Sequence, residues 1–201
     1  MADIQFSSRI LRRFAGTVAR ELGEDQFSVM LGLANLPAGW SNPETFLKMN
    51  PFDSAKAYAA LQGAMRSYFG RGARGVLLRV GQRLWDHLLE DASFGIKAQS
   101  TVVRRFPAQA RRKPTLELLA KILSARSGDI TVHTLDLDLL FVDHASPATD
   151  GQSERAPICF VTQGLIRESL VWSIGEGFDV EETDCKAQGH HACEFKITTG
   201  R

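Results

Sequence analysis

All three cysteines of this 201-residue chain lie in its last third, at Cys159, Cys185 and Cys193. A thiolate is both a nucleophile and a ligand for soft metal ions, so the cluster suits redox chemistry or metal binding. Three thiols cannot all pair in disulfides. The chain has few cysteines and no signal peptide at its start, which predicts a reducing, cytoplasmic location. We therefore interpret the cysteines as metal ligands.

Two of these cysteines flank a short turn that contains Gly189. Residues 178–186 and 192–198 alternate between apolar and polar side chains, which predicts a terminal β-hairpin. Residues that face each other across an antiparallel pair have Cβ atoms within roughly 5 Å. Cys185 and Cys193 can therefore both reach one zinc ion at a sulfur–zinc distance of about 2.3 Å.

The third ligand is predicted to be Cys159, in the first turn of a helix that we expect from Pro157 to Ser173. A helix N-terminus favours a thiolate because its free N–H groups and dipole lower the thiol pKa. Buried cysteines are often plain core residues. Here, three of them lie close to carboxylates and imidazoles, which favours the metal interpretation.

The fourth ligand stays open at this point. Glu182 stands three residues before Cys185, and strand twist or a bulge can bring it to the same ion. His190 and His191 lie in the turn itself and are chemically better zinc ligands, so chemistry alone favours a histidine. Asp184 is also possible.

The composition is that of an ordinary globular protein, with 44% hydrophobic and 23% charged residues. No run approaches the ~18–20 consecutive apolar residues of a membrane-spanning helix, so we expect no membrane span. The net charge is +1, and one stretch is basic: Arg104, Arg105, Arg111, Arg112 and Lys113. We interpret that stretch as a solvated loop rather than a nucleic-acid surface, because the domain carries no surplus of positive charge.

Apolar residues at helical spacing predict most of the elements that would hold these ligands. The predicted helices cover residues 7–22, 53–69, 73–90 and a segment that starts at Pro114, with a shorter helix or coil over 26–36. Residues 37–51 are rich in turn formers, and 93–113 are predicted to be irregular. We divide the chain into an N-terminal helical arm and linker (1–50) and a main domain (51–201).

The periodicity changes to two over residues 130–142, which predicts one strand with Leu135, Leu137, Leu139 and Phe141 on its buried face. The order of helices, a strand, a helix and a strand pair predicts an α+β fold. We expect an antiparallel sheet covered on one side by helices, with the N-terminal helical extension added to it.

The terminal pattern E-x-x-C-x-x-x-G-x-x-x-C-x-F, from Glu182 to Phe195, resembles the 4-vinyl reductase domain family. Residues 58–85 are similar to the early helices of that family, and the resemblance covers roughly residues 50–198. The family includes the ligand-sensing domains of phenol-responsive transcription activators and proteins of bacteriochlorophyll synthesis. It shares its fold with vesicle-tethering (TRAPP) subunits.

The resemblance implies a zinc ion held by three cysteines and one glutamate. Carried onto this sequence, these ligands are Cys159, Glu182, Cys185 and Cys193, which moves the choice of the fourth ligand from His190 to Glu182. Four protein ligands leave no open position for a water nucleophile, so the implied zinc is structural. It would fasten the hairpin to the preceding helix.

The resemblance further implies a non-catalytic domain, forming a homodimer, that senses or carries a small hydrophobic or tetrapyrrole-like molecule. We expect a stand-alone binding module rather than a complete activator. Aromatic and polar side chains compatible with a ligand pocket are Trp85, Phe106, His133, Phe141 and Trp172. Each of them also suits ordinary core packing.

Two alternative functions remain. The first is a vinyl reductase or accessory factor in (bacterio)chlorophyll biosynthesis, which the family name suggests. The sequence has no glycine-rich phosphate loop and no flavin signature, so no hydride source is visible and we expect no enzyme activity. The second is a protein-interaction adaptor resembling the tethering subunits, with the apolar stripes of residues 7–36 as its contact surface.

Overall fold

Helices fill the first two thirds of the chain, and the strands follow. The computed structural model describes residues 4–199. Its helices are α1 (Ser8–Leu22), α2 (Glu24–Leu33), α3 (Pro51–Phe69), α4 (Ala73–Glu90), α5 (Phe94–Val103), α6 (Ala108–Leu123) and α7 (Phe160–Ile174). Its strands are β1 (Ile130–Leu135), β2 (Asp138–Asp143), β3 (Asp179–Asp184) and β4 (Cys193–Thr198). The predicted α+β class, with helices on an antiparallel sheet, is confirmed.

The helix boundaries follow local capping chemistry. Gly23 ends α1 with φ 87°, as predicted, and its N–H bonds to the carbonyl of Ala19. α3 begins earlier than predicted because Asn50 is its cap: Asn50 Oδ1 accepts hydrogen bonds from the N–H groups of Phe52 and Asp53. Pro51 follows at the first helical position, where its missing N–H costs little.

The prediction of an irregular segment over 93–113 was wrong. This segment forms α5, capped by Ser93, and the first part of α6. Pro114 therefore lies inside α6 rather than in its first turn. The arginines of this segment are good helix formers. Arg111 is also held by two carbonyls, because its guanidinium donates to the backbone oxygens of Phe106 and Ser173.

The single strand predicted over 130–142 is a hairpin. β1 pairs with β2 from Ile130↔Asp143 to Leu135↔Asp138, so Asp136 and Leu137 form the turn. Asp136 has φ 52°, which aspartate adopts more readily than most residues. Leu135 and Leu137 are 45% and 77% exposed, not buried as predicted. The alternation of side chains continues through the turn and hides it.

The four strands lie in the order β1-β2-β4-β3, and every neighbouring pair is antiparallel. α7 connects β2 to β3 and packs most closely against α4. Gly81 and Gly164 make this approach possible: a Cβ on Gly164 would lie 2.3 Å from the carbonyl oxygen of Leu78. The start of α7 is thereby held over the end of the sheet.

α1 belongs to the same hydrophobic core as the rest of the chain. Leu11, Phe14 and Val18 are fully buried, and α1 packs on α4. Its apolar stripe is thus used inside the molecule. The domain boundary at residue 50 stays a prediction, and residues 1–3 and 200–201 of the two predicted domains lie outside the described residues. Within the described part, no helix combines the length and the apolar character that crossing a membrane requires.

Candidate metal centre

Four predicted ligands come together at the junction of α7 with the end of the sheet. One ligand atom each from Cys159, Glu182, Cys185 and Cys193 lies within 4.8 Å of all the others. The three cysteines are fully buried, and Glu182 is 7% exposed. This set of three sulfurs and one carboxylate is arranged to hold a metal ion. Thiolate and carboxylate ligands in a four-coordinate set are compatible with zinc.

A β-bulge places Glu182 and Cys185 on the same side of the sheet. Glu182 pairs with Phe195, and Asp184 pairs with Glu194, so Thr183 is an extra residue in β3 with no residue of β4 opposite it. Strand residues three apart normally face opposite sides. One extra residue reverses that parity and turns both side chains inward. A bulge was one of the two ways in which we expected Glu182 to reach the ion, and it is the bulge that places this carboxylate beside the sulfurs.

The turn after β3 returns Cys193 to the cluster. Residues Lys186–Gln188 form a single 3₁₀ turn, and Gly189 closes it with φ 95°, a conformation that favours glycine. The backbone N–H of Lys186 donates to Cys193 Sγ at 3.4 Å. Such a hydrogen bond stabilises a thiolate.

The sulfur–sulfur distances match tetrahedral coordination. Cys159 Sγ lies 3.4 Å from Cys193 Sγ and 3.9 Å from Cys185 Sγ, and Cys185 and Cys193 are 4.0 Å apart. A regular tetrahedron with sulfur–zinc bonds of about 2.3 Å has sulfurs about 3.8 Å apart. A disulfide needs about 2.05 Å, so the three thiols are free.

Glu182 has one oxygen engaged and one available. Its Oε2 accepts a hydrogen bond of 2.8 Å from the backbone N–H of Cys159. Its Oε1 is buried and has no hydrogen-bond partner among residues 4–199. Burial, together with the neighbouring Cys185, raises the pKa of Glu182 to about 8. A cation at this position would stabilise the ionised carboxylate and satisfy the orphaned oxygen.

The thiols, like Glu182, are buried acidic groups whose ionised forms a cation would stabilise. Contact with Cys159 lowers the pKa of Cys185, because the neighbouring thiol donates to its sulfur. The contacts with Cys185 and Cys193, and then burial, raise the pKa of Cys159 well above its usual value. Buried thiols in mutual contact cannot all ionise on their own. A divalent cation removes that repulsion, so the cluster fits a metal better than it fits three neutral thiols.

The other proposed fourth ligands lie outside the cluster. His190 Nδ1 lies 3.0 Å from Asp184 Oδ1 at the surface. His190 and His191 are both exposed. Chemistry alone favoured a histidine, but the strand bulge places Glu182 at the sulfurs instead.

The five candidate pocket residues lie in different surroundings. Trp85 and Trp172 form an edge-to-face pair with ring centroids 5.5 Å apart, and Phe141 packs against the core residue Phe195. Phe106 is 42% exposed, and His133 is exposed with its Nε2 2.8 Å from Thr131 Oγ1. Their role in ligand binding stays a prediction.

The structure has cavities that sequence reasoning missed. One, of about 20 Å³, lies between helices and the sheet and has room for about one water. Tyr58 and Asp143 line it, and burial raises the pKa of Asp143 to about 7. Another, of about 180 Å³, opens between α1, α4, α5 and α6. Their walls come from segments far apart in the chain, so no local pattern marks them.

Comparisons with known proteins agree with this picture. The family model of the 4-vinyl reductase domain matches residues 142–199, which contain all four residues of the cluster. The predicted resemblance to this family is thereby confirmed over that segment. No curated protein has a significantly similar sequence.

Solved structures share the fold at low sequence identity. The phenol-responsive sensory domain of the transcription activator PoxR, solved with phenol, is 17% identical over 70% of this chain and 73% of that chain, with a TM-score of 0.50. An H-NOX protein from S. oneidensis in the Fe(II)NO state is 14% identical over 97% and 99%, with a TM-score of 0.56. A trafficking protein particle complex subunit 3 from Naegleria fowleri, covalently bound to palmitic acid, is 17% identical over 71% and 90%, with a TM-score of 0.51.

The family model thus covers the segment with the metal cluster, and the solved structures show the fold. At such identities the solved structures establish the fold alone. The ligand, the metal and the assembly have to be argued from the residues of this chain.

Proposed function

We propose that this chain is a non-catalytic binding domain for a small molecule, held together at its C-terminal end by one structural zinc ion. The observation that carries the proposal is the buried set of Cys159, Glu182, Cys185 and Cys193. When bound, the zinc would offset two of the four negative charges of its ionised ligands and would fasten β3 and β4 to the start of α7. Four protein ligands complete a tetrahedral site, so the metal would have no position for a substrate.

The binding role is supported by the family match and by the folds of the sensory and lipid-bearing proteins described above. The cavity of about 180 Å³ is smaller than the ~300–1,000 Å³ of sites for drug-sized ligands. A ligand held in this cavity would be smaller than a tetrapyrrole. We also propose a cytoplasmic location, since a reducing compartment keeps thiols available for a metal.

The test begins with elemental analysis of protein purified without added metal. We expect about one zinc per chain, and we expect a strong chelator to lower the melting temperature. Native mass spectrometry of protein from its own host would show a small bound molecule and the oligomeric state, for which we propose a homodimer. Purified protein that contains no zinc and whose melting temperature does not change with the chelator would overturn the structural role of the metal.

The two alternatives have tests of their own. A vinyl reductase would oxidise NADPH in the presence of a divinyl chlorophyll precursor, and we expect no such oxidation. An adaptor would need an exposed contact surface. Within residues 7–36, α1 buries its apolar stripe at Leu11, Phe14 and Val18, whereas α2 leaves Val29 and Leu33 47% and 50% exposed.

A further inference from the structure

The cavity between α1, α4, α5 and α6 has an apolar interior. α5 packs mainly against α6, which leaves a gap between α5 and α1. Ile10, Leu88, Ile96 and Ile122 line this gap. Its volume of about 180 Å³ is close to the ~150 Å³ of an engineered apolar cavity that binds benzene. An apolar body of about six carbon atoms is therefore the appropriate size.

The mouth of the cavity has a surplus of positive charge. Arg9, Arg13 and Lys121 line it, together with one carboxylate, Asp91. That carboxylate already forms ion pairs with Arg12 and Arg13. Arg9 and Lys121 have no acidic partner among the residues that the structure describes. Two cations at one mouth create a potential that attracts anions.

Lys121 and the start of α5 strengthen this preference. The Lys121 ammonium group donates only to the amide oxygen of Gln99, at 3.2 Å, and is exposed. An exposed lysine in a single neutral hydrogen bond can turn toward an incoming anion. The first turn of α5 carries no acidic side chain. Its free N–H groups therefore add partial positive charge near Ser93, at the edge of the cavity.

We propose that this cavity binds a small organic anion with an apolar body of about six carbon atoms, such as an aromatic monocarboxylate. The anionic group lies at Arg9 and Lys121, and the body packs against Ile10, Leu88, Ile96 and Ile122. This assignment rests on the proposed binding function and adds the place and the charge of the ligand.

The test uses the full, zinc-loaded chain, with benzoate as the probe and benzamide as its neutral counterpart of the same shape. Titrations followed by NMR of the ¹⁵N-labelled protein should shift resonances of α1 and α5. We expect benzoate to bind at least about fivefold more tightly than benzamide, and added salt to weaken only benzoate. Equal affinity of the two probes would overturn the assignment of an anion.

Charge variants locate the anionic group. We expect the double variant Arg9→Gln/Lys121→Gln to bind benzoate about fivefold to tenfold more weakly, since it loses two partly exposed ion pairs with the anion. The matched control, Arg105→Gln/Lys113→Gln, removes the same charge from residues outside the cavity. An equal loss in both variants would show general attraction to a basic protein and would overturn the site.

A filling variant tests the cavity itself. Ile96→Trp places a larger side chain at a half-buried position of α5 and should abolish benzoate binding, with zinc content and melting temperature unchanged. Undiminished binding in this variant, or no binding to the wild-type protein, would remove the cavity assignment. The proposed function is judged separately, by the zinc content and by the molecule that native mass spectrometry finds in protein from the host.

Discussion

The backbone N–H of Cys159 donates a 2.8 Å hydrogen bond to Oε2 of Glu182 and so joins the start of α7 to β3. The same contact leaves Oε1 of Glu182 buried without a partner in the described chain. Glu182 thus has two tasks: one oxygen orients the carboxylate, and the other is free to bind a metal through a single atom. The arrangement matches the general rule that metal ligands are themselves held by hydrogen bonds.

Replacing Glu182 with glutamine should separate these two tasks. Glu182→Gln keeps an oxygen that can accept from Cys159 but removes the negative charge. We expect zinc affinity to fall by at least about tenfold, because even replacing residues that only hydrogen-bond to metal ligands lowers metal affinity ~10–100-fold. Competition with a chromophoric chelator measures this, and Glu181→Gln, on the exposed face of β3, is the control. Unchanged affinity would exclude Glu182 as a ligand.

Removing one sulfur should release the metal. Cys185→Ser replaces a buried ligand with a poor one, and we expect loss of most of the zinc and a melting temperature lower by at least about 5 °C. His190→Ala is the comparison, since His190 lies in a surface pair with Asp184. It should leave both values unchanged. If His190→Ala loses zinc instead, the histidine is the ligand after all.

The contact of α4 with α7 should tolerate no added methyl group. In Gly164→Ala the new Cβ would meet the carbonyl oxygen of Leu78 at 2.3 Å. We expect a loss of about 3 kcal/mol in the free energy of unfolding, measured with urea. In Gly32→Ala, in α2, the new Cβ would have no atom of another element within 4 Å. This variant should raise the free energy of unfolding by up to ~1 kcal/mol. Equal effects would mean that the two helices lie further apart.

Asp143 should make the folded protein less stable as pH rises. Burial raises its pKa to about 7, against a backbone hydrogen bond from Ala145 that lowers it. The folded state therefore keeps a proton that the unfolded chain releases near pH 4. Stability falls between about pH 4 and 7, by about 4 kcal/mol for this group, and is then constant.

The variant Asp143→Asn keeps the acceptor for Ala145 and has no proton to lose. Its unfolding free energy relative to the wild type should rise between about pH 5 and about pH 8, in urea titrations at both values. Comparing the two proteins at each pH cancels the titration of the metal ligands. A constant difference would show that Asp143 ionises normally in the folded chain.

The turn between β1 and β2 should be insensitive to its leucine. Leu137 is 77% exposed, so Leu137→Ser should change the unfolding free energy by less than ~0.5 kcal/mol. Leu139 lies two residues later and is 6% exposed. Leu139→Ser should lower the unfolding free energy by about 2–3 kcal/mol. Similar costs at both positions would favour the unbroken strand that the alternation predicts.

Sequence patterns predicted the elements whose signals are local. Gly23 ends α1 because glycine accepts the positive φ of a helix end, and the alternation of residues 178–186 and 192–198 predicted the terminal hairpin. The same patterns failed where neighbouring residues carry no contrast. Alternation continues through Asp136 and Leu137, so nothing in the order of residue types marks the turn.

The amino-acid sequence by itself determined which groups are present for a metal site: three sulfurs, nearby carboxylates and two histidines. The tertiary structure decided which of them meet. One extra residue in β3 turns Glu182 inward, while His190 stays at the surface with Asp184. The cavity between α1 and α5 likewise exists only after folding, because its walls come from four helices. Side-chain chemistry is a property of single residues, whereas coordination and cavities depend on distances that only the packed chain sets.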